Sequence, residues 1–184
     1  MVVASAIIVS PFIVVEPSRY ASRSPFATES RRAKRSRAGG RPMAAGDDAH
    51  DRVRRWARLE APAERVWAEI GDFGAVADWH PEVTESPVFE LEGDRCRHLR
   101  ARDGGLFLER LEEAGPRRYR YAVVDGPAGL VDARGTFSVV AEDDGGCHVY
   151  WSLDFPGDPA ADDIADGLLD SGVRALAKRY AGAR

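Results

Sequence analysis

One acidic side chain interrupts an apolar strand face in the middle of the chain. In residues 106–113 (LFLERLEE), strand alternation places Glu109 on the same side as Phe107 and Leu111. If that side faces the interior, a carboxylate held away from water is suited to shuttle a proton. If Leu106 and Leu108 face the interior instead, Glu109 is an ordinary exposed strand residue.

An arginine occupies a similar position on the preceding predicted strand. Arg97 shares a strand face with Leu99 and Ala101. A buried guanidinium needs an anionic partner, and Glu109 lies only one hairpin away. The pattern therefore predicts either an ion pair that is structural or orients a ligand, or an arginine exposed on the strand surface.

The third group with possible chemistry is His80, within GDFGAVADWHPEV (71–83). Histidine exchanges protons near neutral pH, so an acid–base role is conceivable. Asp78 is only two residues away in a turn, and no Ser or Cys nucleophile accompanies it, so a catalytic triad is not supported. We interpret His80 as a helix-ending residue that bonds the local backbone or points into the mouth of a cavity, with Trp79 as a lid or wall aromatic.

Metal and cofactor chemistry finds no support in the residue pattern. Cys96 and Cys147 form no CxxC pair, and the four histidines are scattered without ligand spacing. Each cysteine lies in a strand-like run, where it acts as a small buried hydrophobic residue. We therefore expect neither a metal nor a cofactor.

The net charge of −4 conceals two parts of opposite character. Residues 1–42 hold eight basic and two acidic side chains, whereas residues 43–184 hold 18 basic and 28 acidic ones. Binding to phosphates requires clustered Lys and Arg, so the acidic part is poorly suited to nucleic acid. We expect no nucleic-acid partner.

Residues 1–42 do not have the pattern of a packed domain. The apolar stretch VVASAIIVSPFIVV (2–15) is too short to cross a bilayer core of about 30 Å, so we expect no stable membrane insertion. Residues 17–42 are rich in Ser and Arg. We favour a disordered basic extension and a cytoplasmic protein; the alternatives are a transit peptide to a plastid or mitochondrion, and translation that starts at Met43.

The remaining chain, residues 43–184, alternates between strand and helix periodicity. A strand is predicted over 51–61, followed by a helix whose apolar residues are Val66, Ile70 and Phe73, and by a second short helix that ends before Pro81. Turn sequences then separate six further predicted strands, at 83–91, 95–102, 106–113, 117–125, 131–141 and 147–155. A helix of about twenty residues follows, with Asp158 as its N-cap.

This order predicts an α+β fold in which a curved antiparallel sheet of about seven strands wraps around the long C-terminal helix. One helix cannot seal such a sheet completely, so we expect a cavity that accepts an apolar ligand. Nine residues are the candidate ligand contacts: Trp79, His80, Phe107, Tyr119, Tyr121, Trp151, Leu168, Gly172 and Leu176. The alternative is that these side chains are core residues, since the core and the cavity wall share much of the same surface.

Four segments resemble the SRPBCC superfamily, which comprises the START, Bet v 1 and polyketide cyclase/dehydrase proteins. They are APAERVWAEIGDFGAVADWHPEV, GGLFLERLEE, RRYRYAVVDGP and YWSLDF, and the resemblance covers residues 52–181. It implies a helix-grip fold with a deep apolar pocket for a lipid, polyketide or similar molecule. The fold serves binding proteins and enzymes alike.

Within the superfamily, the chain is similar to the polyketide cyclase/dehydrase branch and to lachrymatory-factor-synthase-like proteins. Their working arginine and glutamate align with Arg97 in CRHL and Glu109 in LERL, but their tyrosine aligns with Ala133. The resemblance therefore does not imply a sulfenic-acid rearrangement. It leaves two main functions open: binding of a hydrophobic small molecule, or a cofactor-free cyclase, dehydratase or isomerase that uses Glu109 and Arg97. A third alternative, a protein-interaction or co-chaperone domain of the same fold, has no sequence feature in its favour.

Overall fold

The computed structural model describes residues 50–182, and the predicted extension 1–42 lies outside this range. In chain order the elements are β1 (His50–Leu59), α1 (Ala63–Ile70), α2 (Val76–Trp79), β2 (Val83–Glu85), β3 (Val88–Leu91), β4 (Asp94–Ala101), β5 (Leu106–Gly115), β6 (Arg118–Asp125), β7 (Arg134–Ala141), β8 (Cys147–Pro156) and α3 (Pro159–Arg179).

The strands form one curled antiparallel sheet with the order β1-β8-β7-β6-β5-β4-β2, and β3 pairs separately with β4. The two strands farthest apart in sequence are neighbours, since β1 pairs with β8 over ten residue pairs. Helix α3 packs against β1 and β8, on the inner face of the sheet. The α+β fold with a curved sheet around the C-terminal helix is confirmed.

The predicted strand 83–91 is two strands, so the described range contains eight strands instead of about seven. Between them lie Ser86 and Pro87, and proline cannot donate to the ladder. The Ser86 hydroxyl donates to the Gly74 carbonyl at 2.5 Å and accepts from the Ala77 backbone N–H at 3.0 Å. The break therefore connects α2 to the edge of the sheet.

The predicted strand 131–141 begins later than expected, at Arg134. The preceding residues form a turn in which Gly129 and Asp132 have positive φ angles of 84° and 69°. Such backbone geometry is incompatible with a strand. Ala133, where the lachrymatory-factor synthases have tyrosine, is consequently a buried loop residue.

Helix α3 has the predicted N-cap and, with 21 residues, the predicted length. The Asp158 side chain accepts a hydrogen bond from the Ala160 backbone N–H at 3.0 Å, and Lys178 and Arg179 occupy the last turn. Its inner face consists of small and aliphatic residues that are fully or nearly fully buried: Ala161, Ala165, Leu169, Gly172, Val173 and Leu176.

Six aromatic rings occupy the space between the sheet and the middle of α3: Phe73, Trp79, Tyr119, Tyr121, Phe137 and Trp151. We call this group the aromatic core. Trp79 stacks on Phe137 with ring centroids 5.5 Å apart, and Trp151 meets the same Phe137 ring edge-on at 5.6 Å. The interior beneath the middle of α3 is therefore packed with side chains.

Candidate functional site

A cavity of about 460 Å³ lies between the N-terminal half of α3 and the end of the sheet where β4 turns into β5. It is lined by Glu82, Ala101, Arg102, Asp103, Gly105, Phe107, Pro127, Asp163, Ile164, Gly167, Leu168 and Ser171. Most of these positions come from three sources: the β4–β5 hairpin, the segment after β6, and one side of α3.

The cavity has an apolar interior surface. Phe107 comes from the concave face of β5, while Ile164 and Leu168 come from α3 at helical spacing. Gly167 lies between them, and a Cβ atom added there meets no other atom within 4 Å. The missing side chain at Gly167 therefore contributes open space to the cavity.

Its mouth carries four charged side chains, three acidic and one basic: Glu82, Asp103, Asp163 and Arg102. The Arg102 guanidinium donates twice to the Pro81 carbonyl, from Nε at 3.1 Å and from Nη2 at 3.0 Å. The Asp103 carboxylate accepts from the Gly105 backbone N–H at 2.9 Å, which shapes the hairpin turn.

Arg97 and Glu109 form a buried ion pair outside this cavity. They are opposite each other in the register of β4 and β5, and their residues are 0% and 3% exposed. Arg97 Nε donates to Glu109 Oε2 at 2.5 Å, and Arg97 Nη1 donates to the Phe73 carbonyl oxygen at 2.5 Å. The guanidinium also lies over the Phe73 ring, 4.1 Å from its centroid.

Burial and the ion pair together set the charge states of Arg97, Tyr119 and Tyr121. Burial disfavours the charged guanidinium, but the Glu109 carboxylate together with Tyr119 and Tyr121 outweighs this effect and raises the pKa of Arg97 above its ordinary value. Burial also raises the pKa of Tyr119 and of Tyr121, so both phenols remain neutral. The Tyr121 hydroxyl accepts a hydrogen bond from Trp151 Nε1 at 2.9 Å.

Two buried donors among the described residues make no hydrogen bond: Arg97 Nη2 and Trp79 Nε1. A buried donor without an acceptor costs stability, so each is a position where a small polar molecule could bind favourably. The other two nitrogens of Arg97 have acceptors: Nε donates to Glu109 and Nη1 donates to the Phe73 carbonyl.

His80 uses both ring nitrogens within the protein. Its Nε2 lies 2.9 Å from the Leu168 carbonyl oxygen, and its Nδ1 accepts from the Glu82 backbone N–H at 3.1 Å. These two bonds fit the neutral tautomer with the proton on Nε2. Burial lowers the pKa of His80, which favours the same neutral form.

This histidine therefore connects two walls of the cavity, since Glu82 and Leu168 both line it. Because Gly172 has no side chain, the His80 ring can pack closely against helix α3. A Cβ atom at Gly172 would lie 2.6 Å from His80 Cδ2 and 2.8 Å from Trp151 Cζ3.

The candidate residues are thus divided between different places. Phe107 and Leu168 line the cavity. The ion pair of Arg97 and Glu109 lies under the link between α1 and α2. The other candidates are part of the aromatic core or pack against it: Trp79, His80, Tyr119, Tyr121, Trp151, Gly172 and Leu176.

Several cavity residues were not singled out from the sequence. Asp163, Gly167 and Ser171 recur at intervals of four along one side of α3, and Asp103 belongs to the turn DGG. The helical spacing could have identified the first three as one surface. Only the packing direction of α3 shows that this surface borders a cavity.

Within residues 50–182 no group of three or more His, Cys, Asp or Glu side chains converges as a metal site would require. The described helices include none with the length and apolar character needed to span a membrane.

Comparisons with known proteins cover most of the described chain. A family model described as "Polyketide cyclase / dehydrase and lipid transport" matches residues 50–182. No curated protein matches the chain significantly.

Among solved structures, the protein XoxI from Bacillus cereus is 27% identical with a TM-score of 0.64, over 72% of this chain and 96% of its own. A protein from Thermobifida fusca is 32% identical with a TM-score of 0.61, over 70% of this chain and 92% of its own. A START superfamily protein from Mycobacterium smegmatis is 17% identical with a TM-score of 0.59, over 74% and 100%, which shows a shared fold. None of these comparisons shows the similarity to lachrymatory-factor synthases.

Proposed function

The chain belongs to the polyketide cyclase/dehydrase and lipid-transport family, and from that premise we propose that it binds a hydrophobic small molecule in the cavity beside the N-terminal half of α3. The ligand class is a lipid, a polyketide or a molecule of similar apolar character. The fold alone would not support this choice, because related folds carry unrelated functions.

One observation carries the proposal: the cavity of about 460 Å³ has an apolar interior and a charged mouth. Ligand sites in proteins fall between about 300 and 1,000 Å³ and are mainly apolar with a few polar groups. Phe107, Ile164 and Leu168 provide the apolar contact, while Ser171 and the charged side chains at the mouth can orient a polar end.

A plugged cavity tests this proposal. In Gly167→Phe the new ring starts from open space, so it can occupy the cavity without displacing the aromatic core. Gly167→Ala is the matched control, because it changes the same helix position and adds only a methyl group. Native mass spectrometry of the full chain should detect a bound molecule in wild type and Gly167→Ala, and much less of it in Gly167→Phe. Equal occupancy in all three proteins would contradict the proposal.

A second candidate is a cofactor-free cyclase, dehydratase or isomerase that uses Glu109 and Arg97. The observation in its favour is the buried ion pair, next to an unpaired guanidinium nitrogen and two neutral tyrosines. The observation against it is that neither side chain lines the cavity. Binding therefore remains the preferred function.

The second candidate has its own experiment. The bound molecule, extracted from wild type, is incubated with wild type and with Arg97→Met/Glu109→Leu, which removes the pair without leaving a buried charge. A catalytic pair predicts a new product with wild type only. Identical chromatograms for both proteins would exclude conversion of that molecule by the pair.

We further propose that the domain works in the cytoplasm, with a plastid or mitochondrion as the alternative if residues 1–42 are a transit peptide. The basic, Ser-rich composition of residues 17–42 fits a transit peptide or a disordered arm equally well. Fluorescent fusions of the full chain and of residues 43–184 distinguish the two, since a transit peptide would send only the full chain to an organelle.

A further inference from the structure

We propose that the cavity prefers an amphipathic ligand whose polar end is positively charged over one with the same tail and a carboxylate or phosphate. This inference rests on the proposed function, because it concerns the polar end of the molecule that the cavity would bind. It follows from the charges at the mouth and from the contacts that hold the one basic side chain among the described residues that line it.

The acidic side chains at the mouth outnumber the basic one. Among the residues that line the cavity, Glu82, Asp103 and Asp163 are carboxylates and Arg102 is the one cation. These three carboxylates come from different elements: the turn before β2, the β4–β5 hairpin and α3. Acidic groups thus approach the opening from several sides, and a bound anionic head group would be close to at least one of them.

Among the described residues these acids have no ion-pair partner. Within residues 50–182 none of the three carboxylates forms an ion pair, whereas Asp166 and Asp170 on the same helix are paired with Arg55. Within the same range, the Asp103 carboxylate accepts one hydrogen bond, from the Gly105 N–H. The carboxylates at the mouth therefore keep much of their capacity to accept hydrogen bonds from a ligand.

Arg102 is only partly available to an anionic head group. Both Nε and Nη2 donate to the Pro81 carbonyl, which orients the guanidinium toward the segment after α2. This carbonyl occupies the Nε–Nη2 edge, one of the two guanidinium edges that can make a bidentate contact with a carboxylate or phosphate, so only the Nη1–Nη2 edge remains for such a contact. One cation of this kind stands against three carboxylates.

The positive end of α3 does not reverse this balance. The helix dipole acts mainly within the first turn, where Asp158 already caps the helix and Asp162 adds a second carboxylate. The cavity borders the side of the helix over residues 163–171. An anionic head group at the mouth would therefore gain little from the helix terminus and would be repelled by the three carboxylates.

Three probes with one tail separate the possible polar ends: dodecyltrimethylammonium and dodecanoate below their micelle concentrations, and dodecanol below its solubility limit. Isothermal titration of the full chain at pH 7.5 and low salt measures the three dissociation constants. We expect the ammonium probe to bind about tenfold or more tightly than dodecanoate, with dodecanol between them. The difference should shrink at 0.5 M salt because exposed charges are screened.

A charge variant tests whether the mouth is responsible. Glu82→Gln/Asp103→Asn/Asp163→Asn keeps the side-chain shapes, and Asn can still accept from the Gly105 N–H. The matched control, Glu90→Gln/Glu92→Gln/Asp143→Asn, changes the net charge equally at positions outside the cavity. The preference for the ammonium probe should disappear in the first variant and persist in the second.

The outcomes separate this inference from the proposed function. If dodecanoate binds as tightly as the ammonium probe, and Gly167→Phe abolishes both, the cavity binds apolar ligands and the charge preference is wrong. A preference that survives in the mouth variant, or is lost equally in the control, also overturns it. If no probe binds, or if Gly167→Phe leaves probe binding unchanged, the proposed function itself is contradicted, and the charge preference falls with it.

Discussion

At the scale of residues, the two charged side chains singled out from the sequence, Arg97 and Glu109, are buried and bond to each other. Arg97 is fully buried, and its side chain is committed to Glu109, to the Phe73 carbonyl and to the face of the Phe73 ring. The pair ties β4 and β5 to the link between α1 and α2. A buried pair of this kind gives only modest net stability, but removal of one partner leaves an uncompensated charge.

Removal of the negative charge alone should therefore be costly. We expect Glu109→Gln to lower the free energy of unfolding by about 3–5 kcal/mol, because Arg97 would remain charged and buried. The double variant Arg97→Met/Glu109→Leu should recover most of this loss, since it fills the space with apolar side chains. Urea denaturation measures both effects; a Glu109→Gln protein as stable as wild type would contradict the structural role.

His80 makes stability depend on pH. Its pKa in the folded protein lies below the unfolded value of 6.5, so the unfolded chain binds the proton more readily. Stability is therefore fully present above pH 6.5 and is lost as the pH falls through 6.5 toward the lowered value in the folded protein. The pKa of His98 is also lowered, chiefly by burial, so it contributes in the same direction.

Two variants separate the histidines. The free energy of unfolding, measured from pH 7.5 to 5, should depend less on pH in His80→Gln than in wild type. His98→Gln serves as the comparison and should retain the part that belongs to His80. An unchanged pH dependence in His80→Gln would show that protonation of this ring is not coupled to folding.

At the scale of elements, different sides of helix α3 face the packed core and the cavity. The face with Leu169, Gly172 and Leu176 lies on the aromatic core, while the side with Ile164 and Gly167 borders the cavity. Its two central glycines consequently differ. At Gly172 an added Cβ would collide with the His80 and Trp151 rings, whereas at Gly167 it would meet nothing within 4 Å.

The same substitution should have opposite effects at the two glycines. We expect Gly172→Ala to destabilise the protein by about 1–3 kcal/mol, because two packed rings must move. Gly167→Ala should stabilise it by about 0.5–1 kcal/mol, since alanine favours the helix without a new clash. Thermal and urea unfolding measure both. Similar changes at both positions would mean that α3 does not approach His80 as closely as described.

At the scale of the whole molecule, the described elements form one continuous sheet with α3 packed against it. The first strand pairs with the last, and α3 packs against both of them. The family match also covers this range, residues 50–182. Folding and ligand binding should therefore depend on these residues and not on the basic segment 1–42.

Truncation tests this division of the chain. We expect residues 43–184 to keep the unfolding free energy of the full chain within about 0.5 kcal/mol, the size of a typical surface effect. They should also bind the ammonium probe with the same affinity. A chain that begins at residue 60 lacks β1 and should not fold, because β8 and α3 lose their common neighbour. Loss of binding in residues 43–184 would assign part of the site to the extension.

The local patterns of the chain were sufficient for the order of its elements. Strand alternation, turn sequences and the Asp158 cap predicted the sheet and the C-terminal helix, and the cap is present in the structure. The errors were at Pro87, where one predicted strand is two, and at residues 131–133, which form a turn. The break at Pro87 could have been predicted, because proline cannot donate to a strand ladder. The positive φ angle of Asp132 is a feature of the folded backbone that the residue type does not reveal.

The sequence by itself determined which faces are apolar and that Glu109 and Arg97 interrupt them, because periodicity is a local property of helices and strands. Only the tertiary structure decided which apolar surface is filled and which remains open. The aromatic rings and His80 fill the middle of the sheet, and the space left beside Gly167 depends on where α3 crosses the sheet. The volume of a cavity is the difference between the space that all elements enclose and the side chains that occupy it, so no single segment contains it.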